Sequence, residues 1–153
     1  LTETWSDEAA TIGAAQRFAR CLQQGDVIAL IGDLGAGKTR FVKAVGTALG
    51  ASTEAIHSPT FTLILEYSAA IPVRHCDAYR LRHPDEFADL GLDELFAMDG
   101  VAFVEWADRV TPDLPRDHLV LSLAVTGPES RSARWSATGP RSRALLDHYR
   151  ATP

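Results

Sequence analysis

The chain has 153 residues, of which 46% are apolar and 23% are charged, and its net charge is −5. This length and composition fit a single globular domain over residues 1–153, and no apolar run approaches the ~18 residues that span a bilayer. The polar N-terminus has no secretory signal, so we expect a cytoplasmic protein. The acidic net charge disfavours direct binding of nucleic acid.

The first fifty residues predict a helix, a buried strand, a loop and a second helix. Ser6 is typical of a helix N-cap, and apolar residues then recur at helical spacing until Gly25 ends the helix. The apolar run at residues 27–31 favours a buried strand, and residues 32–37 are expected to form a loop. The second helix begins at about Lys38.

The rest of the chain predicts shorter elements. A helix beginning at Pro84 is expected to be interrupted near Gly91. Strands are expected at residues 61–67, 73–77, 101–105, 118–125 and 132–138, followed by a closing helix at residues 140–149. Strands that alternate with helices predict an α/β sheet with a parallel centre.

Charge is spread unevenly over the second half of the chain. Residues 85–117 contain ten acidic residues and two arginines, whereas the chain from residue 129 onward contains five arginines and two acidic residues. This asymmetry would steer a protein partner or tRNA, or it would belong to an ordinary solvated surface. The sequence leaves these readings open.

The strongest motif is GDLGAGKT at residues 32–39, which matches the phosphate-loop pattern GxxxxGKT between a predicted strand and a predicted helix. Its glycines let backbone N–H groups converge on phosphate oxygens, and the helix adds its positive N-terminus. Lys38 is expected to reach the β- and γ-phosphates, and the Thr39 hydroxyl to ligate Mg²⁺. The predicted nucleotide-binding residues in this segment are Gly32, Asp33, Leu34, Gly35, Ala36, Gly37, Lys38, Thr39 and Arg40.

Two acidic residues follow predicted strands and are candidates for the Mg²⁺ side of this site. Asp77 ends the strand at residues 73–77, and Glu105 ends the strand at residues 101–105. Ligands of open α/β sheets lie at the carboxyl ends of the strands, so both positions are favourable. We predict Lys38, Asp77 and Glu105 as catalytic residues, and Thr39, Asp77 and Glu105 as metal ligands. Which carboxylate binds Mg²⁺ directly stays open.

Other polar and aromatic residues near these motifs have weaker signals. Thr60, in the SPTFT segment at residues 58–62, is a candidate sensor of the γ-phosphate. Trp106 either packs against the nucleotide or joins the core. His57 and His75 have no partner pattern, so they are expected to be structural.

Four motifs in order together resemble the TsaE (YjeE) family, the bacterial ATPases of tRNA threonylcarbamoyladenosine biosynthesis. The motifs are GDLGAGKT at residues 32–39, SPTFT at residues 58–62, HCDAYRL at residues 75–81 and VEW at residues 104–106. The phosphate loop alone is shared by many NTPases, and the three other segments make the resemblance specific. The resemblance covers nearly the whole chain and implies a three-layer, P-loop NTPase-like α/β domain with a mostly parallel central sheet and late antiparallel strands.

The resemblance also implies roles and partners. Asp77 would be the acid of the Walker B type, Glu105 would help to bind Mg²⁺ or orient the attacking water, and Thr60 would belong to a switch-like loop. Thr11 would lie near the adenine, and Trp106 near the nucleotide. Family members act on the TsaB–TsaD pair, which transfers the threonylcarbamoyl group. Contact with tRNA would therefore be indirect, and neither DNA nor a membrane is an expected partner.

Two other functions compete with an ATPase of this kind. A small-molecule kinase requires a substrate-binding insert and a lid with arginines, and Arg80 and Arg82 are the only clustered candidates. A GTPase reads guanine with an N/T-K-x-D motif, which neither Lys38 nor Lys43 satisfies. No arginine finger is evident from the sequence, so we expect slow ATP hydrolysis that a partner accelerates.

Overall fold

In the computed structural model, which describes residues 1–52 and 63–153, seven strands form one mixed sheet. The strands are β1 (Thr2–Trp5), β2 (Val27–Ile31), β3 (Ile64–Tyr67), β4 (Val73–Asp77), β5 (Val101–Glu105), β6 (Leu119–Val125) and β7 (Arg131–Ala137). Their order in the sheet is β1-β7-β6-β2-β5-β4-β3.

The four central strands β6, β2, β5 and β4 run parallel, and the outer strands pair antiparallel with their neighbours. The predicted α/β fold, with a mostly parallel centre and late antiparallel strands, is therefore confirmed. Strand β6 makes the transition, because it is parallel to β2 on one side and antiparallel to β7 on the other.

The helices of the described chain are α1 (Glu8–Ala19), α2 (Lys38–Ala48), α3 (Leu92–Leu95) and α4 (Pro140–Ala151). Short 3₁₀ segments lie at Ala78–Arg80, Pro84–Leu90, Ala107–Arg109 and Thr111–Asp113. The helix expected from Pro84 is thus a 3₁₀ segment followed by one turn of α-helix, separated by Gly91 in the left-handed conformation (φ 83°). No helix in the described ranges is long and apolar enough to cross a membrane.

Two sequence predictions for the N-terminal region are wrong in detail, and one strand was not predicted. Asp7, not Ser6, caps α1, since its carboxylate accepts a 2.8 Å hydrogen bond from the Ala10 amide. The helix ends at Ala19 rather than at Gly25, because the amide of Gln23 bonds to the Asp26 carboxylate in a turn before β2. Strand β1 was not predicted, since four residues at a sheet edge are specified mainly by their pairing with β7.

Alternation along the central strands builds one hydrophobic core on each face of the sheet. Ile28 and Phe103 point to the face covered by α1, α2 and α4. Ala29 and Val104 point to the other face, against the segment from Ala78 to Leu114. Successive side chains of a strand point to opposite faces of the sheet. Because β2 and β5 are covered on both faces, almost all of their residues are apolar.

The parallel strands bring the predicted site together at one edge of the sheet. Strand β2 runs directly into residues 32–37 and α2, while β4 and β5 end in Asp77 and Glu105. The register places Glu105 opposite Leu30 on one side and opposite Asp77 on the other. The carboxyl ends of adjacent parallel strands thus deliver both acids to the start of α2.

Candidate nucleotide site

The loop between β2 and α2 begins at Gly32, where any larger residue would require the neighbouring backbone to move. Gly32 has φ 150°, and a Cβ built on it would lie 2.4 Å from the carbonyl oxygen of Leu123 in β6. Gly37, with φ 104°, precedes α2, and no side chain caps the helix there. The first amides of α2 therefore face the loop, where they are suited to an anion.

We expect Gly32→Ala to lower the free energy of unfolding by about 1–3 kcal/mol, because the added Cβ meets backbone rather than a flexible side chain. Urea denaturation measures this loss. The matched control is Gly13→Ala, in the interior of α1, where a Cβ has no neighbour within 4 Å. That substitution should stabilise by about 0.5–1 kcal/mol through helix propensity. Equal effects of the two substitutions would contradict the steric explanation.

Lys38 lies inside the loop with its side chain folded back over it. Its Nζ donates to the carbonyl oxygens of Gly32 at 2.5 Å and Asp33 at 3.0 Å, and it lies 4.2 Å from the centroid of the Trp106 ring. Burial lowers the pKa of Lys38, and the carboxylates of Glu105 and Asp77 oppose that shift. Within the described ranges no side-chain carboxylate is bound to the ammonium, which is thus suited to binding a phosphate.

Thr39 and Glu105 are in direct contact. The Thr39 hydroxyl donates to Oε1 of Glu105 at 2.6 Å, and Glu105 is 2% exposed. The contact joins the first turn of α2 to the end of β5, the strand beside β2. Glu105, rather than Asp77, is therefore the carboxylate that touches the predicted Mg²⁺ ligand Thr39.

Asp77 is half-buried at the end of β4 and is turned toward the following segment. Its Oδ1 accepts a 3.0 Å hydrogen bond from the Tyr79 amide. Burial raises the pKa of Asp77, and the nearby Glu105 carboxylate raises it further, while the Tyr79 amide opposes the shift. Arg109 fixes this segment by donating to the carbonyl oxygens of Ala78, Tyr79 and Leu81.

The raised pKa of Asp77 predicts a cost to stability at neutral pH in nucleotide-free protein. Because its folded-state pKa lies above the unfolded-state value, the ionised carboxylate disfavours folding above both values, and the cost vanishes below the unfolded value. Asp77→Asn should therefore raise the midpoint of thermal unfolding at pH 7, and the gain should disappear near about pH 3. Thermal melts of both proteins with chelator measure this difference. A variant less stable at pH 7 would contradict it.

Trp106 both packs against the core and lines the cleft, and its contact with a nucleotide stays a prediction. It has a left-handed backbone (φ 56°), the only positive φ outside glycine among residues 1–52 and 63–153. Its ring packs on Tyr79 with centroids 4.9 Å apart and lies over Lys38, while part of it joins the core on the Cys76 face of the sheet. The ring forms a wall of the cleft.

These residues surround an open cleft of about 570 Å³. The predicted site residues that line it are Thr11, Leu34, Gly35, Ala36, Gly37, Lys38, Thr39, Arg40, Asp77, Glu105 and Trp106. The carbonyl oxygens of Gly32 and Asp33 accept hydrogen bonds from the Lys38 ammonium. Thr11 donates its hydroxyl to the Asp7 carbonyl, and Arg40 pairs with Glu8. Thr60 lies outside the described residues, as does His57.

Sequence reasoning missed several residues of the cleft, of which Arg131 is the most connected. Its Nε donates to the Ala36 carbonyl at 3.1 Å and its Nη2 to Gly35 at 3.3 Å, while Nη1 bonds to carbonyls of Gly127 and Ser130. Arg131 therefore ties the phosphate loop to the turn between β6 and β7. Only its membership of a basic region was visible in the sequence.

The donor set suits Mg²⁺ held together with phosphates. One hydroxyl (Thr39) and two carboxylates (Asp77, Glu105) are hard oxygen donors of the type that Mg²⁺ prefers. In the part of the chain that the structure describes, no group of three or more His, Cys, Asp or Glu side chains could hold a metal ion. Mg²⁺ commonly uses one or two carboxylates and completes its shell with waters and phosphate oxygens, so these residues fit a metal that arrives with a nucleotide.

Comparison with known proteins matches one family over most of the chain. The model of the family described as "Threonylcarbamoyl adenosine biosynthesis protein TsaE" matches residues 5–133. The tRNA threonylcarbamoyladenosine biosynthesis protein TsaE of Bacillus subtilis (strain 168) is 41% identical over 138 residues, covering 90% of this chain and 85% of that protein. The protein of the same name from Streptomyces coelicolor is 38% identical over 112 residues, covering 71% of this chain and 74% of that protein.

A solved structure shares the fold. The crystal structure of Bacillus subtilis YdiB superposes with a TM-score of 0.82 at 34% sequence identity. The superposition covers 99% of this chain and 94% of that one.

Proposed function

The chain belongs to the TsaE family of tRNA threonylcarbamoyladenosine biosynthesis, and we propose that it serves this pathway as a Mg²⁺-dependent ATPase. The observation that carries the proposal is the 2.6 Å hydrogen bond from Thr39 to Glu105 beside the buried Lys38. This bond places a carboxylate beside the hydroxyl of the phosphate loop. P-loop NTPases use such a hydroxyl and carboxylate to hold the Mg²⁺ of the nucleotide.

Phosphate binding would be the work of the loop and of α2. The uncapped amides that follow Gly37 and the ammonium of Lys38 would donate to the β- and γ-phosphate oxygens. Lys38 would exchange its hydrogen bonds to the Gly32 and Asp33 carbonyls for phosphate oxygens. The phosphate oxygens carry negative charge, so the ammonium is attracted to them more strongly than to the neutral carbonyls, and this favours the exchange.

Hydrolysis would depend on Glu105 and the metal side of the cleft. Thr39, with Glu105 or Asp77, would hold Mg²⁺, which would neutralise charge on the phosphates. Oε1 of Glu105 accepts from Thr39, and Oε2 makes no hydrogen bond within the described residues. Oε2 would accept a proton from the attacking water. The water oxygen would bond to the γ-phosphorus, and the bond between the γ-phosphorus and the ADP oxygen would break.

Arginine contacts support slow turnover by the isolated protein. Arg40 pairs with Glu8, and Arg131 is bound to four backbone carbonyls. Arg80 lies exposed at the rim of the cleft. Lys38 is therefore the buried cation available to the γ-phosphate, and a partner that orders a further cation at the rim would accelerate the reaction.

The test combines hydrolysis with partner capture. Purified protein should hydrolyse ATP slowly alone and faster with TsaB and TsaD from the same organism. A pull-down against TsaB and TsaD should give association that differs between ATP and ADP and that Lys38→Ala abolishes. A fast rate without partners, or association that ignores the nucleotide, would count against the proposal. Phosphoryl transfer to nucleosides or shikimate-like acceptors would favour the small-molecule kinase instead.

A further inference from the structure

The geometry points to His75 as a positioning residue that holds Glu105 in its working orientation, an inference that rests on the proposed hydrolysis of ATP. His75 has no partner pattern in the sequence, and we expected it to be structural. In the folded chain it is fully buried at the centre of β4, two residues before Asp77. Its Nε2 lies 2.7 Å from Oε1 of Glu105.

Strand register explains how His75 reaches Glu105. His75 lies opposite Phe103 in β5, and Asp77 lies opposite Glu105. His75 and Glu105 are therefore diagonal neighbours, and side chains two residues apart on a strand point to the same face. Both lie on the face that α2 covers, where Thr39 also arrives.

The same diagonal continues into β3. Leu65 is the direct partner of His75, and Tyr67 lies one diagonal step away on the same face. The Tyr67 hydroxyl lies 3.2 Å from Nδ1 of His75, and Tyr67 is 2% exposed. A row of three buried polar side chains thus crosses β3, β4 and β5 and ends at the cleft.

Hydrogen-bond chemistry gives this row a direction. A carboxylate oxygen only accepts, so Nε2 of His75 carries a proton and donates to Glu105. Nδ1 of the same ring lies within hydrogen-bond distance of the Tyr67 hydroxyl, and this second contact fixes the rotation of the imidazole. Polar side chains behind a metal- or substrate-binding group commonly orient it in this manner.

Two donors on one oxygen define the orientation of Glu105. Oε1 accepts from the Thr39 hydroxyl at 2.6 Å and from His75 at 2.7 Å. Among the described residues Oε2 makes no hydrogen bond, and Glu105 lines the cleft. Without His75, Thr39 would be the one hydrogen-bond donor to Glu105 among residues 1–52 and 63–153, and the carboxylate could rotate about that bond.

The test compares two amides in place of the imidazole. The amide nitrogen of His75→Gln reaches the level of Nε2 and can donate to Glu105, whereas the shorter His75→Asn reaches only the level of Nδ1. His75→Leu removes both polar groups. Cys76→Ala is the matched control, because Cys76 is the next residue of β4 and points to the opposite core.

We expect His75→Leu and His75→Asn to lower kcat for ATP hydrolysis by about 10–100-fold, with KM for ATP changed less than about threefold. His75→Gln should recover most of kcat, and Cys76→Ala should retain it. ADP affinity without Mg²⁺, measured by calorimetry, should be unchanged in the His75 variants because the phosphate loop is intact. Thermal melts check folding, and the Gln and Asn pair decides the question if the Leu variant does not fold.

Different outcomes separate this inference from the proposed function. Wild-type kcat in His75→Asn would overturn the inference alone, as would an equal loss in His75→Gln and His75→Asn. Loss of ADP affinity without Mg²⁺ would show that His75 supports the whole loop, which also overturns it. Absence of hydrolysis by the wild-type protein, alone and with its partners, would overturn the proposed function and this inference with it.

Discussion

Glu105→Gln is expected to lower kcat for ATP hydrolysis by roughly 100-fold or more, the usual size of a general acid–base contribution. The glutamine keeps an oxygen that accepts from Thr39 and His75, so the side chain retains its position. It loses the negative charge that would attract a metal and the oxygen that would accept a proton from water. A phosphate-release assay at saturating ATP and Mg²⁺ measures the change.

Asp108→Asn is the matched control for loss of charge near the site. Asp108 is an exposed carboxylate three residues after Glu105, and it too interacts electrostatically with Lys38. Its substitution should change kcat by less than about threefold, because exposed charges are screened by solvent. If the two variants lost activity equally, the effect would come from the field at Lys38 rather than from the contact of Glu105 with Thr39.

Lys38→Ala is expected to weaken binding of ATP by about 10–100-fold, since each charge-assisted hydrogen bond is worth roughly 1.5–3 kcal/mol. Hydrolysis should fall below detection, because Lys38 is the buried cation of the cleft. Calorimetric titration with ATP in the presence of Mg²⁺ measures the affinity.

The second lysine of the chain provides the control for that experiment. Lys43 lies one turn further along α2, outside the nucleotide cleft. Lys43→Ala removes the same charge from the same helix and should leave ATP affinity within about twofold of the wild type, because solvent screens a charge outside the cleft. Equal losses in the two variants would mean that net charge, rather than the position of Lys38, governs binding.

The phosphate loop could be predicted because its information is local. Eight consecutive residues contain the glycines, the lysine and the threonine, and the adjoining strand and helix follow from residues on either side. The strand-end acids could be predicted for a related reason. Parallel strands deliver their carboxyl ends to one edge, so Asp77 and Glu105 were expected there before their pairing was known.

Details that depend on register could not be predicted. The sequence treated Asp77 and Glu105 as equivalent, whereas only Glu105 ends the strand adjacent to β2 and contacts Thr39. The TsaE resemblance implied that Asp77 is the acid of the Walker B type, and this assignment stays a prediction. The contact with Thr39 favours Glu105 as the carboxylate nearer to the loop.

Contacts between residues far apart in the sequence could not be predicted for the same physical reason. His75 and Glu105 are 30 residues apart, and Arg131 is 95 residues from Ala36. No periodicity in one strand shows which residue of another strand lies diagonally opposite. The pairing of β1 with β7 likewise joins residues 2–5 to residues 131–134, which are far apart in the sequence. It depends on tertiary contact rather than on strand propensity.

The α/β class, the phosphate loop with its lysine and threonine, and the family could be inferred from the order of contiguous motifs. Three features needed the folded chain: the contact of Glu105 with Thr39, the link from Arg131 to the phosphate loop, and the row of His75 and Tyr67 behind Glu105. Strand order and register set these contacts, and both arise only when the two hydrophobic cores pack on the faces of the sheet.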